Sequence, residues 1–257
     1  MNASPRIYEF PLNERMRIFM RLEQLFIEVS HFIDQPAIWD SRAAVAGLLD
    51  IVSIFSRNDL KSEILKELER HVNVLGRQAR SGQVDASQSC AVIAQLSSLS
   101  EELYQTTGKI GLSLLEDELF KSISQRSAIP GGTYVFDLPA YYYWLEQDGE
   151  ARRQALQEWM RPLQNIYQAI RLLMGCIRES GMTTDEVAQT GFFQKNLDHA
   201  QPLQLLQVSL QRNLPCFAEI SGGKHRFTVR FMSAQSMGVR PGQIEDDVPF
   251  RLTCCLL

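Results

Sequence analysis

A row of basic side chains late in the sequence is the clearest candidate for chemistry. Lys224, Arg226 and Arg230 are spaced by two and four positions, with Thr228 between the arginines. Because residues i, i+2 and i+4 of a β-strand share one face, these side chains would line up at about 7 Å intervals if the strand extends that far. Guanidinium groups form planar, charge-assisted pairs of hydrogen bonds with carboxylates. The row therefore suits a carboxylate-bearing peptide, although such rows are more often solvated faces or internal ion pairs.

Two further features could contribute to a binding surface. Arg17 and Arg21 lie four positions apart in a helical segment, away from its apolar stripe. The aromatic run 141–144 is typical of core or dimer packing rather than of a ligand cage. The chain has a net charge of −4, whereas most nucleic-acid-binding modules carry a strong excess of basic residues. A regulator that binds nucleic acid through the same basic strand nevertheless remains the alternative interpretation.

Signatures of catalysis and of metal binding are missing from the sequence. The histidines His31, His71, His199 and His225 show no H-x-x-x-H spacing, which would put two metal ligands on one helical turn. The sequence contains no G-x-S-x-G, no G-x-G-x-x-G and no phosphate-binding loop, and segment 222–224 indicates a plain β-turn. We therefore expect no enzyme activity, no cofactor and no metal. The remaining alternative is a hydrolase whose active site matches none of these sequence motifs.

The cysteines and the hydropathy pattern indicate the compartment. None of the five cysteines forms a C-x-x-C pair, and Cys254 and Cys255 would point to opposite faces of a strand, so we expect reduced thiols. No stretch approaches the roughly 20 apolar residues of a membrane-spanning helix, and residues 1–5 lack the pattern of a secretory signal. We expect a cytoplasmic protein without membrane insertion.

The hydrophobic periodicity predicts an α+β fold. Asn13 is a plausible N-cap for a first helix, and Phe227, Val229 and Phe231 should face inward from a strand that turns Arg226 and Arg230 outward. We predict a helical domain at 12–181, interrupted by a strand near 133–138. We predict an antiparallel β domain at residues 1–11 plus 182–257. In this domain the C-terminal strands pair with the N-terminal strand and with the central strand. Predicted strands cover 6–10, 133–138, 191–197, 205–210, 217–220, 225–231 and 250–256, and predicted helices 13–33, 36–55, 59–78, 85–104, 112–125, 140–145, 150–159 and 162–179.

Four segments, in their order and spacing, resemble the ZapD family of cell-division proteins. They are FPLNERMR at 10–17, LLDIVSIFSRNDLKSEILKELER at 48–70, SAIPGGTYVFDLPAYYYWL at 127–145 and ISGGKHRFTVRFM at 220–232. No single segment is diagnostic, and the resemblance covers nearly the whole chain. One departure is visible in the third segment, where Ala128 separates the serine from the I-P-G-G sequence.

The resemblance implies a function and a set of residues. It implies a homodimer that binds the C-terminal tail of FtsZ and cross-links protofilaments at the mid-cell division ring. The family's basic residues carry over to Arg17, Arg57, Arg226 and Arg230. Two positions depart from the family pattern, since Tyr142 replaces a histidine and Leu115 or Glu118 replaces a basic residue. The expected FtsZ-tail site comprises Arg17, Arg21, Arg57, Tyr142, Lys224, Arg226 and Arg230.

Overall fold

The chain forms two compact units, which we describe separately. The β unit contains Met1–Met20 and Met174–Leu257, and the helical unit contains Arg21–Leu173. The structure is a computed structural model, and it describes residues 4–57, 59–81, 86–106, 110–197, 203–223, 225–233 and 240–257. The side chains of residue 57 and of residues 86–88 lie outside that description.

Two antiparallel sheets form the β unit. A four-stranded sheet has the order β1-β4-β7-β2, and a three-stranded sheet has the order β3-β6-β5. The C-terminal strands therefore pair with the N-terminal strand, and the predicted α+β class is confirmed. The strands are β1 (Arg6–Pro11), β2 (Met182–Ala188), β3 (Phe192–Asn196), β4 (Leu205–Leu210), β5 (Cys216–Gly222), β6 (Arg226–Ser233) and β7 (Val248–Cys255).

Alternating side chains from both sheets fill a single core. Leu206 and Val208 of β4 meet Phe227 and Phe231 of β6, with Phe250 of β7 among them. The rings of Phe231 and Phe250 lie 5.1 Å apart. Because each strand sends every second residue into this core, the intervening residues must face the other way.

Helices dominate the second unit. Phe26 stacks on Tyr167 at 5.0 Å, and Trp159 contacts Phe120 at 5.2 Å and Trp144 at 5.5 Å. None of the described helices combines the length and the apolar content needed to span a bilayer. The helices of the chain are α1 (Glu14–Ile33), α2 (Ile38–Arg57), α3 (Leu60–Arg80), α4 (Ala86–Gln105), α5 (Glu118–Ser127), α6 (Pro139–Leu145), α7 (Gly149–Met160) and α8 (Gln164–Glu179), with 3-10 helices at Ser113–Glu116 and Arg161–Leu163.

Local sequence signals fix several helix starts. The Asn13 side chain accepts a hydrogen bond from the backbone N–H of Met16 at 2.9 Å, so the predicted N-cap of α1 is confirmed. Asp117 caps α5 and Asp148 caps α7 in the same way. The predicted helix at 112–125 is split, since the backbone at Asp117 is extended between the 3-10 helix and α5.

The central strand predicted at 133–138 is wrong, because this segment forms consecutive turns. Its backbone N–H groups bond locally: Tyr134 N–H donates to Gly131 at 3.0 Å and Leu138 N–H donates to Tyr134 at 2.8 Å. Gly131 has a φ of +73°, which favours glycine and starts the turns. The aromatic and β-branched residues that suggested a strand are instead largely exposed.

Sequence reasoning missed strand β2. Its residues pair with β7 in register from Met182 opposite Cys254 to Ala188 opposite Val248. Most of its side chains are exposed, so the segment lacks the alternating hydrophobic pattern that marks a strand. Backbone pairing with β7 defines it instead.

Arg152 ties three segments of the helical unit together. Its side chain is only 5% exposed, and it donates to Ser41 Oγ at 3.0 Å and to the carbonyl oxygens of Leu145 at 3.1 Å and Pro36 at 2.6 Å. A further bond reaches the carbonyl oxygen of Gln147. One guanidinium thus satisfies the buried acceptors Ser41 Oγ and the Leu145 carbonyl, together with part-buried carbonyls just before α2 and just after α6.

We predict that Arg152→Met destabilises the protein by about 3 kcal/mol, because two buried and two part-buried acceptors lose their donor. Denaturant unfolding monitored by circular dichroism measures this change. Arg153→Met is the matched control, since Arg153 is exposed and pairs with the exposed Glu150 at 2.6 Å. The control should change the free energy of unfolding by less than about 0.5 kcal/mol. Equal stability of the two variants would contradict the assigned role.

A second arginine holds a carboxylate on the outer face of the four-stranded sheet. Arg178 Nε donates to Glu9 Oε1 at 2.8 Å and Arg178 Nη2 donates to Glu9 Oε2 at 2.9 Å, while Gln207 donates to the same carboxylate at 2.8 Å. Burial by itself raises the pKa of Glu9, but the hydrogen bonds and the positive charge of Arg178 outweigh it. The pKa therefore lies below its ordinary value of 4.5.

This pair predicts a specific pH dependence. A lowered pKa means that the folded state favours the charged carboxylate, so its stabilising contribution is complete above pH 4.5. The stabilising contribution is lost as the pH falls through the lowered pKa of Glu9. Urea unfolding between pH 7 and pH 3 should show Glu9→Gln less stable than the wild type at neutral pH, with the difference closing in acid. If the difference in stability between Glu9→Gln and the wild type stayed constant with pH, the ionisation of Glu9 would not be coupled to folding.

The cysteines are all present as thiols. Burial raises the pKa of Cys176 and of Cys255 to about 11, and it also raises the pKa of Cys216 and Cys254. Cys90, on α4, is exposed. As predicted, Cys254 and Cys255 point to opposite sides of β7: Cys254 packs against the core of the β unit, whereas Cys255 Sγ contacts the carbonyl oxygen of Arg178.

Candidate functional site

The outer face of the three-stranded sheet carries Arg226 and Arg230, two members of the predicted basic row. The inward residues of β6 are buried as predicted, with Phe227 at 1% exposure and Val229 and Phe231 at 0%. Arg226 and Arg230 are exposed on the opposite face, and Thr228 between them is partly buried. Their α-carbons are about 13 Å apart, since a strand rises about 3.3 Å per residue. The two arginines therefore share one accessible face of a strand whose other face is locked in the core.

Neighbouring strands supply the surroundings of these arginines. Arg226 lies opposite Asn196 of β3, and Arg230 lies between Phe192 of β3 and Glu219 of β5. Residues directly opposite in antiparallel strands point to the same face. Among the residues that the structure describes, neither guanidinium forms a hydrogen bond or an ion pair. Both groups remain available for an external acceptor.

Close backbone packing fixes the tip of the β5–β6 hairpin. A Cβ atom on Gly222 would lie 2.8 Å from Phe10 Cε1 and 3.2 Å from Leu12 Cδ2, so only glycine fits there without movement. The N–H of Gly223 donates to the carbonyl oxygen of Arg226 at 3.0 Å. The hairpin that carries Arg226 is therefore seated against the segment that leads into α1.

Arg17 lies one turn into α1, since its N–H donates to the carbonyl oxygen of Asn13 at 3.1 Å. Its guanidinium pairs with Glu14 at 3.3 Å, with side-chain exposures of 44% and 70%. Such a solvated pair contributes little stability, so another carboxylate can replace Glu14 at small cost. Arg17 therefore follows, by five positions in the sequence, the Leu12 side chain that packs near Gly222.

The remaining predicted residues fall elsewhere or outside the description. Lys224 lies outside the described residues, and so does the side chain of Arg57 at the end of α2. Arg21 is exposed on α1, and Tyr142 is 45% exposed on α6. Arg21, Arg57 and Tyr142 belong to the helical unit, whereas Arg17, Arg226 and Arg230 belong to the β unit.

Sequence reasoning missed the residues that flank the arginines. The strand at 191–197 was predicted, but its pairing with β6 was not, and this pairing brings Phe192, Gln194 and Asn196 onto the basic face. Glu219 of β5 lies on the same face because it is paired directly opposite Arg230. The available signal was the alternation of each strand, which gives the face of a residue but not its neighbours.

Nothing in the described part of the chain resembles a metal centre, since no three His, Cys, Asp or Glu side chains cluster there. The features described above amount to a polar, basic protein surface. Such a surface binds and positions acidic groups through charge-assisted hydrogen bonds.

Comparison with known proteins identifies the family. The profile of ZapD, described as a cell division protein, matches residues 20–230. The chain belongs to the ZapD family. A cell division protein ZapD from Methylococcus capsulatus is 51% identical over 251 residues, covering 98% of each chain. ZapD proteins from Chromobacterium violaceum and Aromatoleum aromaticum are 38% and 34% identical, over 96% and 100% of this chain and 98% and 100% of their own lengths. Membership of the ZapD family gives this chain a role in cell division.

We predict that Gly222→Ala destabilises the protein by about 1–2 kcal/mol, because the new methyl group must displace the Phe10 ring or the hairpin. Gly223→Ala is the matched control, since a Cβ there meets nothing within 4 Å. Thermal unfolding of the two variants measures the difference. If Gly223→Ala were the more damaging substitution, the close packing of the hairpin tip would be refuted.

Proposed function

We propose that this chain binds the C-terminal tail of FtsZ and cross-links FtsZ protofilaments at the division ring, acting in the cytoplasm at mid-cell. Membership of the ZapD family supports a role in division. The basic face of the β unit supplies the chemistry that an acidic peptide needs. No step of this function requires catalysis or a cofactor.

The observation that carries the proposal is the pair of exposed arginines on β6, which form no ion pair with any residue that the structure describes. Glu219 lies directly opposite Arg230, yet no ion pair joins them in the described residues. A guanidinium without a partner donates to an incoming carboxylate without first breaking an internal bond. The spacing of about 13 Å matches an extended peptide whose acidic residues lie about four positions apart.

The neighbours of Arg230 favour a peptide over nucleic acid. Phe192 is 37% exposed beside Arg230 and offers an apolar contact for a peptide side chain. Glu219, on the other side of Arg230, would repel a continuous line of phosphates. A flexible peptide that combines carboxylates with apolar residues accommodates both neighbours.

The other residues of the proposed site are Arg17, Arg21, Arg57, Lys224 and Tyr142. Arg17 contributes through its weak, exchangeable pair with Glu14. Tyr142, 45% exposed on α6, offers a phenol hydroxyl and an apolar ring where the resemblance implies a histidine. We propose that it contributes hydrogen bonding and apolar contact rather than charge.

Cross-linking of filaments requires more than one tail site per particle. We propose a homodimer, which brings two basic faces into one molecule. Once the first tail is bound, the second site is filled at a high effective concentration, so two weak contacts hold two filaments together.

We predict that Arg226→Glu with Arg230→Glu weakens binding of a synthetic FtsZ tail peptide by about 100-fold and abolishes bundling. The reason is that attraction becomes repulsion at both contacts. Fluorescence anisotropy measures peptide binding, and sedimentation measures bundling. Arg251→Glu is the matched control, because Arg251 is an exposed strand arginine on the four-stranded sheet. Normal bundling by the double variant would reject the site.

Titration with duplex DNA over a salt series tests the rival function. Phosphate binding by several arginines should weaken steeply with salt, because counterions are released. We expect weak binding of DNA at low salt and specific binding of the peptide at moderate salt. The opposite order would replace the proposed function with nucleic-acid binding.

A further inference from the structure

The outer face of the three-stranded sheet places an apolar and an acidic residue beside Arg230. Phe192 of β3 and Glu219 of β5 each lie directly opposite this arginine, so the three residues form one row across the sheet. Residues directly opposite in antiparallel strands point to the same face, with α-carbons about 5 Å apart. A cation therefore stands between an aromatic ring and an anion. We call Phe192, Arg230 and Glu219 the mixed row.

Both charges of the mixed row are open to solvent and are not used by the chain itself. Arg230 and Glu219 are exposed, and Phe192 is 37% exposed. In the part of the chain that the structure describes, neither the Arg230 guanidinium nor the Glu219 carboxylate forms a hydrogen bond or an ion pair. The row therefore presents a positive and a negative charge side by side to anything that binds this face.

The described residues in the rows on either side of the mixed row are uncharged. Met232 of β6 lies opposite Phe217 of β5, one row beyond the mixed row, and both side chains are partly buried on the outer face. Toward Arg226 the next row is polar and neutral, and its members are Gln194, Thr228 and Ser221. Along β6 the face thus changes from apolar, through the mixed row, to neutral and then to Arg226.

A uniformly acidic ligand complements the mixed row poorly. A carboxylate held by Arg230 would lie close to the Glu219 carboxylate, because directly opposite side chains are within contact distance. Like charges at that distance repel, so part of the attraction to Arg230 would be cancelled. A ligand that brings a basic side chain to Glu219 and a carboxylate to Arg230 is attracted at both positions. An adjacent cation and anion are best complemented by the same pair in reverse.

The apolar end of the face adds a second preference. Aromatic and thioether surface lies next to the charged pair and is supplied by Phe192, Met232 and Phe217. Such surface favours an aliphatic or aromatic side chain of the ligand. At the opposite end, Arg226 stands about 13 Å from Arg230 and suits a second carboxylate. The complete face therefore complements a peptide that is apolar at one end, of mixed charge in the middle and acidic at the other end.

We infer that Glu219 is a specificity residue of the peptide site, which selects a mixed-charge peptide over a uniformly acidic one. Glu219 takes a basic side chain of the peptide, Arg230 takes the neighbouring carboxylate, and Phe192 contacts an apolar residue. This assignment rests on the proposed function, in which the face of β6 binds a peptide tail. It adds the chemistry of that peptide, because a lysine or an arginine is required next to an acidic residue.

Two synthetic peptides test the assignment by fluorescence anisotropy on the full chain. Both contain a leucine and two aspartates four positions apart. They differ at the neighbours of one aspartate, which are lysines in one peptide and glutamates in the other. The wild type should prefer the lysine peptide. Glu219→Gln should weaken binding of the lysine peptide by about fivefold, the upper range for an exposed ion pair, and should strengthen binding of the glutamate peptide.

Asp185→Asn is the matched control, since it removes an equal charge from an exposed strand position of the four-stranded sheet. It should change neither affinity by more than about twofold, because salt screens a distant surface charge. Glu219→Lys should reverse the preference, so that the glutamate peptide becomes the tighter ligand. Circular dichroism checks the folding of each variant. If Glu219→Gln left the lysine peptide unaffected or bound it more tightly, or if the wild type bound neither peptide, Glu219 would not be a specificity residue.

The FtsZ tail peptide separates the role of Glu219 from the proposed function. A wild type that selects the lysine peptide but ignores the FtsZ tail peptide rejects the proposed function and leaves the role of Glu219 standing. A wild type that binds the tail and bundles filaments supports the proposed function. If Glu219→Gln and Asp185→Asn then behave alike on both synthetic peptides, the role of Glu219 is overturned while the proposed function stands.

Discussion

The strict alternation of β6 is the constraint on which the candidate site depends. Phe227, Val229 and Phe231 are buried against the four-stranded sheet, and their burial leaves only one orientation for Arg226 and Arg230. A slip of one residue in register would bury both guanidinium groups and expose the three apolar side chains, at prohibitive cost. The hydrophobic core therefore determines where the charges point, and the charges need no partner of their own to stay there.

Glycines permit two close approaches of the backbone because they carry no side chain. Gly222 lets the end of β5 pack on Phe10 and Leu12, and Gly132 lets the turns before α6 pack on the end of α5. In the β5–β6 hairpin, Gly222 packs four residues away from Arg226. The residues that would touch a ligand are therefore separate from a residue that keeps the hairpin in place.

Local patterns in the sequence predicted much of this structure, whereas long-range pairing was beyond them. The cap at Asn13 and the alternation of β6 are visible in a few consecutive residues, so they were predicted correctly. Segment 133–138 has the composition of a strand, but the positive φ of Gly131 and local hydrogen bonds fold it into turns. Strand β2 is defined by its partner rather than by its own hydrophobicity. For the same reason the shared face of Arg226 and Arg230 could be predicted, while their neighbours Phe192 and Glu219 could not.

The burial of the cysteines has a practical consequence. Thiolates are the reactive form of cysteine, and four of the five side chains are disfavoured from ionising by their surroundings. Cys90 alone is exposed, on a helix of the unit that does not carry the β6 arginines. A maleimide dye added to the unaltered protein at neutral pH should therefore attach mainly at Cys90, giving a fluorescent reporter of single molecules without any engineered cysteine.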